Sequence, residues 1–158
     1  MDALLELLGG LSDPASLLPD LNTLFADLVP VIRFAVLLSP VVLLVLGLTY
    51  LFLAPKEANH TLGFRCWWGM SSVEVWQFTQ KLAGTIWTAM GLVLGAVALF
   101  SGMGYETMSP DLMLIDALTT ILGQLLLVFI SMLGINLTLI LLFDGRGRRR
   151  GSVKDALR

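Results

Sequence analysis

Three long apolar runs dominate the sequence, at residues 34–54, 82–100 and 112–143. A helix rises about 1.5 Å per residue, so each run can cross a hydrocarbon core about 30 Å thick. A polar stretch at residues 55–81 separates the first two runs, and a short connection with Gly102, Gly104 and Pro110 separates the last two. The pattern predicts an all-α integral membrane protein with three transmembrane helices.

The segment before the first run has a different pattern. Apolar residues recur at helical spacing over residues 17–28, while every charge in residues 1–28 is acidic. This spacing predicts an amphipathic helix that lies on the membrane surface. Because its charges are negative, we expect it to pack against the rest of the protein or a partner rather than on acidic lipid.

The polar stretch contains three of the four tryptophans, the only His and the only Cys. Ser71 and Glu74 within it have the spacing of a capping box, in which a serine begins a helix and a glutamate reaches back to it. We therefore expect a helix to begin at Ser71 and to continue into the second run. In that run Gly91 and Gly95 permit close helix approach. We favour packing within the chain, with a homo-oligomer as the alternative.

The third run carries a polar stripe. On a helical wheel its small and polar residues fall within an arc of roughly 100°, namely Asp116, Thr120, Gly123, Gln124, Ser131, Gly134 and Thr138. We favour a helix–helix interface for this stripe. The alternative is the lining of a hydrated path, for which a single intramembrane acid is a weak basis.

Charge sets the predicted orientation. A basic block at residues 146–150 follows the third run, and the first loop carries Lys56, Arg65 and Lys81, whereas the second loop has only Glu106. Since Lys and Arg beside a span mark the cytoplasmic side, we expect the C-terminus inside and the N-terminus outside.

The predicted domains follow from this orientation. They are an acidic extracytoplasmic segment at residues 1–28, a three-span membrane domain at residues 29–143 with a cytoplasmic loop at 55–81, and a basic cytoplasmic tail at residues 144–158. The basic block is short and adjoins the bilayer, so we expect membrane lipids rather than nucleic acid as its partner.

Composition restricts the function further. Charged residues are only 14 % of the 158 residues, against about 25 % in soluble domains, so lipid is the expected solvent for most of the chain. One His and one Cys provide no metal cluster. Ser71 or Ser72 with His60 has no positioned third group, and Cys66 with His60 is more often a coincidence of composition than a catalytic dyad. We expect no enzyme activity and no cofactor.

The polar stretch resembles the signature of the SdpI family of small bacterial membrane proteins. The matching residues are Pro55, Asn59, Gly63-Phe64-Arg65, Met70-Ser71, Glu74, Trp76 and Gly84. The resemblance covers about residues 45–100, and we expect it to extend to the third span. Cys66-Trp67-Trp68 departs from the family pattern, in which a Thr and basic residues follow the Arg. The family is named for an immunity protein that protects against a sporulation-delay toxin. That immunity protein also engages a repressor at the membrane.

This resemblance implies a multi-pass protein of the bacterial cytoplasmic membrane that acts by binding a peptide toxin or a signalling partner. Asn59, Gly63, Arg65, Glu74 and Trp76 are the candidate loop residues. Gly63 would provide backbone freedom, and Arg65 would bind a carboxylate or a phosphate. Two alternatives are an accessory subunit of a larger membrane complex and a small oligomeric transporter or channel. The latter would use the intramembrane residues Asp116, Gln124 and Ser131.

Overall fold

The computed structural model describes residues 21–58 and 61–150, which form three long helices. Helix α1 spans Leu21–Phe52, α2 spans Val73–Met103 and α3 spans Pro110–Leu142. One turn of 3-10 helix, Trp68–Met70, lies in the loop before α2. Each long helix is apolar and long enough to cross a membrane, which confirms the prediction of three spans.

Helix α1 begins earlier than the first apolar run. It is continuous from Leu21 to Phe52, with Pro30 and Pro40 inside it. Residues 21–28 therefore continue into the first span and do not form a separate surface helix. An internal proline removes one backbone donor without ending a helix if the carbonyl it leaves open finds another partner. Residues 1–20, which hold the rest of the predicted surface segment, lie outside the described residues.

Helices α1 and α2 are antiparallel and approach each other closely at glycines. A Cβ added to Gly47 would lie 2.5 Å from the backbone nitrogen of Thr88, and one added to Gly91 would lie 2.7 Å from that of Leu44. Only residues without a side chain fit such contacts, since the obstructing atoms belong to backbone. These glycines fix the two helices as one rigid pair.

The Gly91-x-x-x-Gly95 pattern belongs to this pair. Gly91 faces the backbone of Leu44, and a Cβ on Gly95 would lie 3.6 Å from the Cβ of Pro40. The pattern therefore packs within the chain, as favoured from the sequence.

The predicted capping box is wrong by one residue. Ser72 is the N-cap of α2, with extended backbone and a hydroxyl that accepts from the amide of Val75. Ser71 instead closes the preceding 3-10 turn, because its amide and its hydroxyl both donate to the carbonyl of Trp68. Glu74 consequently lies in the first turn of α2 without the reciprocal capping role, where its charge still suits the helix dipole. The prediction that this helix continues into the second span is confirmed.

The chain folds back after α3. Residues 143–150 form a turn in which the amide of Asp144 donates to the carbonyl of Arg148 at 2.8 Å, and that of Arg150 to Leu142 at 2.7 Å. Gly147 takes a positive φ of 73° in this turn. The first part of the predicted basic tail is thus a folded extension of the membrane domain, and residues 151–158 lie outside the described residues.

Candidate functional site

The loop after α1 is fastened to the first turns of α2 by a buried glutamine. The side chain of Gln80 accepts from the amide of Phe64 at 2.7 Å and donates to the carbonyl of the same residue at 2.9 Å. Gln80 is 3 % exposed. Both polar groups of one loop residue are thereby paired away from water, which such groups require when buried.

Gly63 allows this arrangement. Its φ is +124°, and a Cβ there would lie 2.8 Å from the ring of Trp76 and from Oε1 of Gln80. A side chain would therefore meet both backbone strain and a steric clash. The sequence-based role of Gly63 as a provider of backbone freedom agrees with this geometry.

Two further bonds fasten the start of the loop to the same helix. Nε1 of Trp76, a fully buried residue, donates to the carbonyl of Pro55 at 2.8 Å. Nε2 of Gln77 donates to the carbonyl of Lys56 at 3.1 Å. The loop backbone is thus held at its start and again at Phe64 by side chains from adjoining turns of α2.

The middle of the loop packs around the cysteine. Sγ of Cys66 accepts from the amide of Gly69 at 3.3 Å, and a Cβ on Gly69 would lie 2.8 Å from that sulfur. Burial raises the pKa of the Cys66 thiol, against a smaller opposing effect of the Gly69 hydrogen bond. A thiol with a raised pKa is a poor nucleophile at neutral pH, so the geometry indicates a packing role.

The C-terminal turn lies against this loop. The hydroxyl of Ser72 donates to the carbonyl of Gly147 at 3.1 Å, and the rings of Phe78 and Phe143 meet edge to face with centroids 5.5 Å apart. We call residues 55–58 and 61–72 together with the turn 143–150 the loop face. These segments lie at one end of the helix bundle, as three spans require.

The turn is organised by one carboxylate. Oδ1 of Asp144 accepts from the amides of Arg146 and Arg148 at 2.9 and 2.7 Å. The hydrogen bond from Arg148 is the largest of several effects that lower the pKa of Asp144. The backbone of the turn is therefore fixed by hydrogen bonds, while Arg148 and Arg149 are exposed.

The structure divides the candidate loop residues into two groups. Gly63 and Trp76 meet in the interior, next to Gln80. Arg65 and Glu74 belong to the exposed surface, and Asn59 lies outside the described residues. Gln80 was not singled out from the sequence as a site residue. Its position four residues after Trp76, and so on the same face of α2, is the signal that could have identified it.

The three intramembrane candidates each make a contact with another part of the chain. Oδ2 of Asp116 accepts from the hydroxyl of Tyr105 at 3.0 Å, and the hydroxyl of Ser131 accepts from Nε1 of Trp87 at 3.1 Å. Nε2 of Gln124 donates to the carbonyl of Val36 at 3.1 Å. The contacts of Ser131 and Gln124 fit a helix–helix interface, whereas that of Asp116 joins α3 to the connection that precedes it. Burial, followed by the effects of Asp116, raises the pKa of Tyr105 to about 12, so the phenol keeps its proton.

The stripe does not face inward along its whole length. A Cβ added to Gly123 or Gly134 would have no neighbour within 4 Å. These two positions of α3 face away from the rest of the described chain.

The end of the bundle opposite the loop face carries the ion pair of Arg33 and Glu106. Nη2 of Arg33 lies 3.1 Å from Oε1 of Glu106, and Nε donates to the carbonyl of Gly102 at 2.7 Å. Arg33 thus binds both a carboxylate of the connection and a carbonyl in the last turn of α2. Across residues 21–58 and 61–150, no three His, Cys, Asp or Glu side chains are grouped to hold a metal ion.

Comparison with known families agrees with the loop signature. The sequence model of the SdpI/YfhL protein family matches residues 56–142. This range begins in the loop and includes α2 and α3, so it confirms the resemblance and extends it across the third helix. No curated protein matches the chain, and no solved structure does.

The first prediction concerns Gln80. Gln80→Leu removes both bonds to Phe64 and leaves a buried amide and carbonyl unpaired, so we expect a loss of about 2 kcal/mol in unfolding free energy. Hydrogen exchange should accelerate most at the Phe64 amide. Gln77→Leu is the matched control, because its bond to Lys56 is exposed and its loss should change little. Equal exchange at Phe64 in both variants would contradict the role of Gln80.

The second prediction concerns Gln124. Pro40 has no N–H, so the carbonyl of Val36 lacks its helical partner, and Gln124 provides one. Gln124→Leu also removes an Oε1 atom that has no partner in the described chain, so the substitution can cost little unfolding free energy by itself. The informative quantity is the coupling energy in a double-mutant cycle with Pro40→Ala. That second change restores an N–H that can pair with the Val36 carbonyl in place of Gln124. Unfolding in mixed micelles should give about 1 kcal/mol of coupling, and strict additivity would contradict this pairing.

Proposed function

The chain belongs to the SdpI/YfhL protein family, and from this premise we propose that it is an SdpI-like membrane protein that acts by binding another protein. Its most concrete form is immunity against a membrane-targeting peptide toxin, membrane signalling, or both. The proposed site is the loop face, and the proposed location is the bacterial cytoplasmic membrane.

One observation carries the proposal: buried side chains fix the backbone of the loop face, and its exposed surface presents a cationic and an aromatic side chain. Gln80 and Trp76 hold the backbone from inside. On the outside Arg65 is exposed, and Trp67 has 89 % of its surface accessible. Arginine and tryptophan are the residues that most often dominate protein interfaces, and a rigid backbone lowers the entropy lost on binding. This combination supports recognition rather than catalysis.

We propose that the loop face is cytoplasmic and that the N-terminus lies outside. The loop and the C-terminal turn share one end of the bundle, where the hydroxyl of Ser72 contacts Gly147. That end carries Lys56, Arg65 and the arginines of the turn, as the positive-inside rule requires. A phosphatase reporter fused after residue 158 should be inactive and a fluorescent reporter bright. The opposite result would overturn this orientation.

An accessory subunit of a larger membrane complex is the second candidate function. Gly123 and Gly134 of α3 have open space beside them, and small residues on an outward helix face let another helix approach closely. Three polar residues of the stripe, Asp116, Gln124 and Ser131, contact other parts of this chain, which argues against a transport path through them.

The third prediction tests immunity. Cells that express the protein are challenged with a panel of membrane-active bacterial peptide toxins, and survival is compared with that of cells expressing Arg65→Ala. Because Arg65 is exposed, we expect unchanged expression and less than about 1 kcal/mol loss of stability, but at least a tenfold loss of protection, roughly 1.4 kcal/mol of binding. Arg149→Ala removes an equal charge from the C-terminal turn of the same face, and a smaller loss of protection there would show that the effect is specific to Arg65.

The outcomes separate the candidates. Protection that is equal in wild type and Arg65→Ala would remove Arg65 from the site, and no protection by wild type would overturn immunity. Purification in a gentle detergent then distinguishes the alternative, because stoichiometric recovery with a larger membrane protein would favour the accessory subunit.

A further inference from the structure

A cavity of about 210 Å³ opens beside the loop at the end of α1, between the loop and α2. It is lined by Tyr50, Leu51, Ala54, Pro55, Lys56, Gln77, Gln80 and Lys81. We propose that this cavity binds the phosphate of an anionic phospholipid headgroup. The proposal goes beyond protein recognition by the loop face and does not depend on it.

The charge of the cavity is positive. Lys56 and Lys81 both line it, and no Asp or Glu side chain within residues 21–58 and 61–150 lies within ion-pair distance of either ammonium group. The two lysines therefore present cationic groups to one cavity. Phosphate is the matching chemistry, because it can accept charge-assisted hydrogen bonds from both ammonium groups.

The cavity is formed before any ligand binds. One wall is the loop backbone at Pro55 and Lys56, whose carbonyls accept from Trp76 and Gln77. The buried Gln80 closes another side and is held by its two bonds to Phe64. A ligand therefore would not have to order the loop, and less binding energy would be lost to entropy.

The position of the cavity favours a lipid over a soluble anion. Tyr50 and Leu51 belong to the last turn of α1, where the span ends, and the adjoining Phe52 and Leu53 are 77 % and 69 % exposed. An apolar surface thus adjoins a cationic cavity at the level of the bilayer interface. A phospholipid satisfies both, since its phosphate meets the lysines while its acyl chains remain in the bilayer.

The test uses the full-length protein in nanodiscs of phosphatidylcholine with increasing phosphatidylglycerol, and native mass spectrometry counts the retained lipids. Lys56→Gln with Lys81→Gln should lower phosphatidylglycerol retention by about tenfold, because the cavity loses both cations that would meet the phosphate. Arg148→Gln with Arg149→Gln removes the same charge from the same end of the bundle but outside the cavity. The smaller loss expected there, about twofold, measures the general attraction of the basic turn for anionic lipid. Lys56→Arg with Lys81→Arg should preserve it.

Several results would overturn the proposal. Equal losses in the lysine and arginine variants would indicate general attraction without a site, and no loss in the lysine variant would exclude the cavity. Competition by inorganic phosphate at the concentration of the lipid would assign the site to a soluble anion. Displacement of the lipid by an acidic peptide would assign it to a protein partner. An unchanged melting temperature for the lysine variant establishes that a loss of lipid is not unfolding.

Discussion

A backbone amide or carbonyl that meets neither water nor a helical partner must be paired inside the protein, and the described part of this chain repeatedly meets this need with a polar side chain. Gln80 pairs both groups of Phe64 at the loop face. Gln124 reaches the Val36 carbonyl that Pro40 leaves open in the middle of the bundle. Because few polar side chains are available within these helices, their positions determine where the backbone can depart from a regular helix.

The same constraint explains why the loop can be rigid although it contains little regular structure. Trp76 and Gln80 provide hydrogen bonds to the loop backbone in place of those of a helix or sheet. The exposed Arg65 and Trp67 belong to the loop that these bonds hold. An interface of this kind offers strong contact residues at low entropic cost. The adjoining cationic cavity is defined by the same bonds, so protein recognition and lipid binding would share a scaffold while using different side chains.

Much of the architecture was predictable because hydrophobicity alone places a segment in the bilayer. Apolar length gave the three spans, and the order of Gly63, Arg65, Glu74 and Trp76 gave the family, which the match over residues 56–142 confirms. Boundaries were harder to predict. Ser71 and Ser72 are both good caps, and the choice between them depended on the 3-10 turn that takes up Ser71. The first span was predicted to begin at residue 34, whereas α1 begins at Leu21. The helix continues through Pro30 because one proline removes a single backbone donor and the flanking residues keep their helical hydrogen bonds.

The sequence by itself determined that this protein has three membrane helices, a polar loop between the first two and the loop signature of its family. Those properties follow from apolar length and local residue order. Only the tertiary structure decided that Gln80 supports the loop, that Gln124 pairs the carbonyl of Val36, and that the C-terminal turn packs on the loop face. Each of these contacts joins residues that are distant along the chain or on different elements, and a one-dimensional pattern does not state which donor will meet which open acceptor.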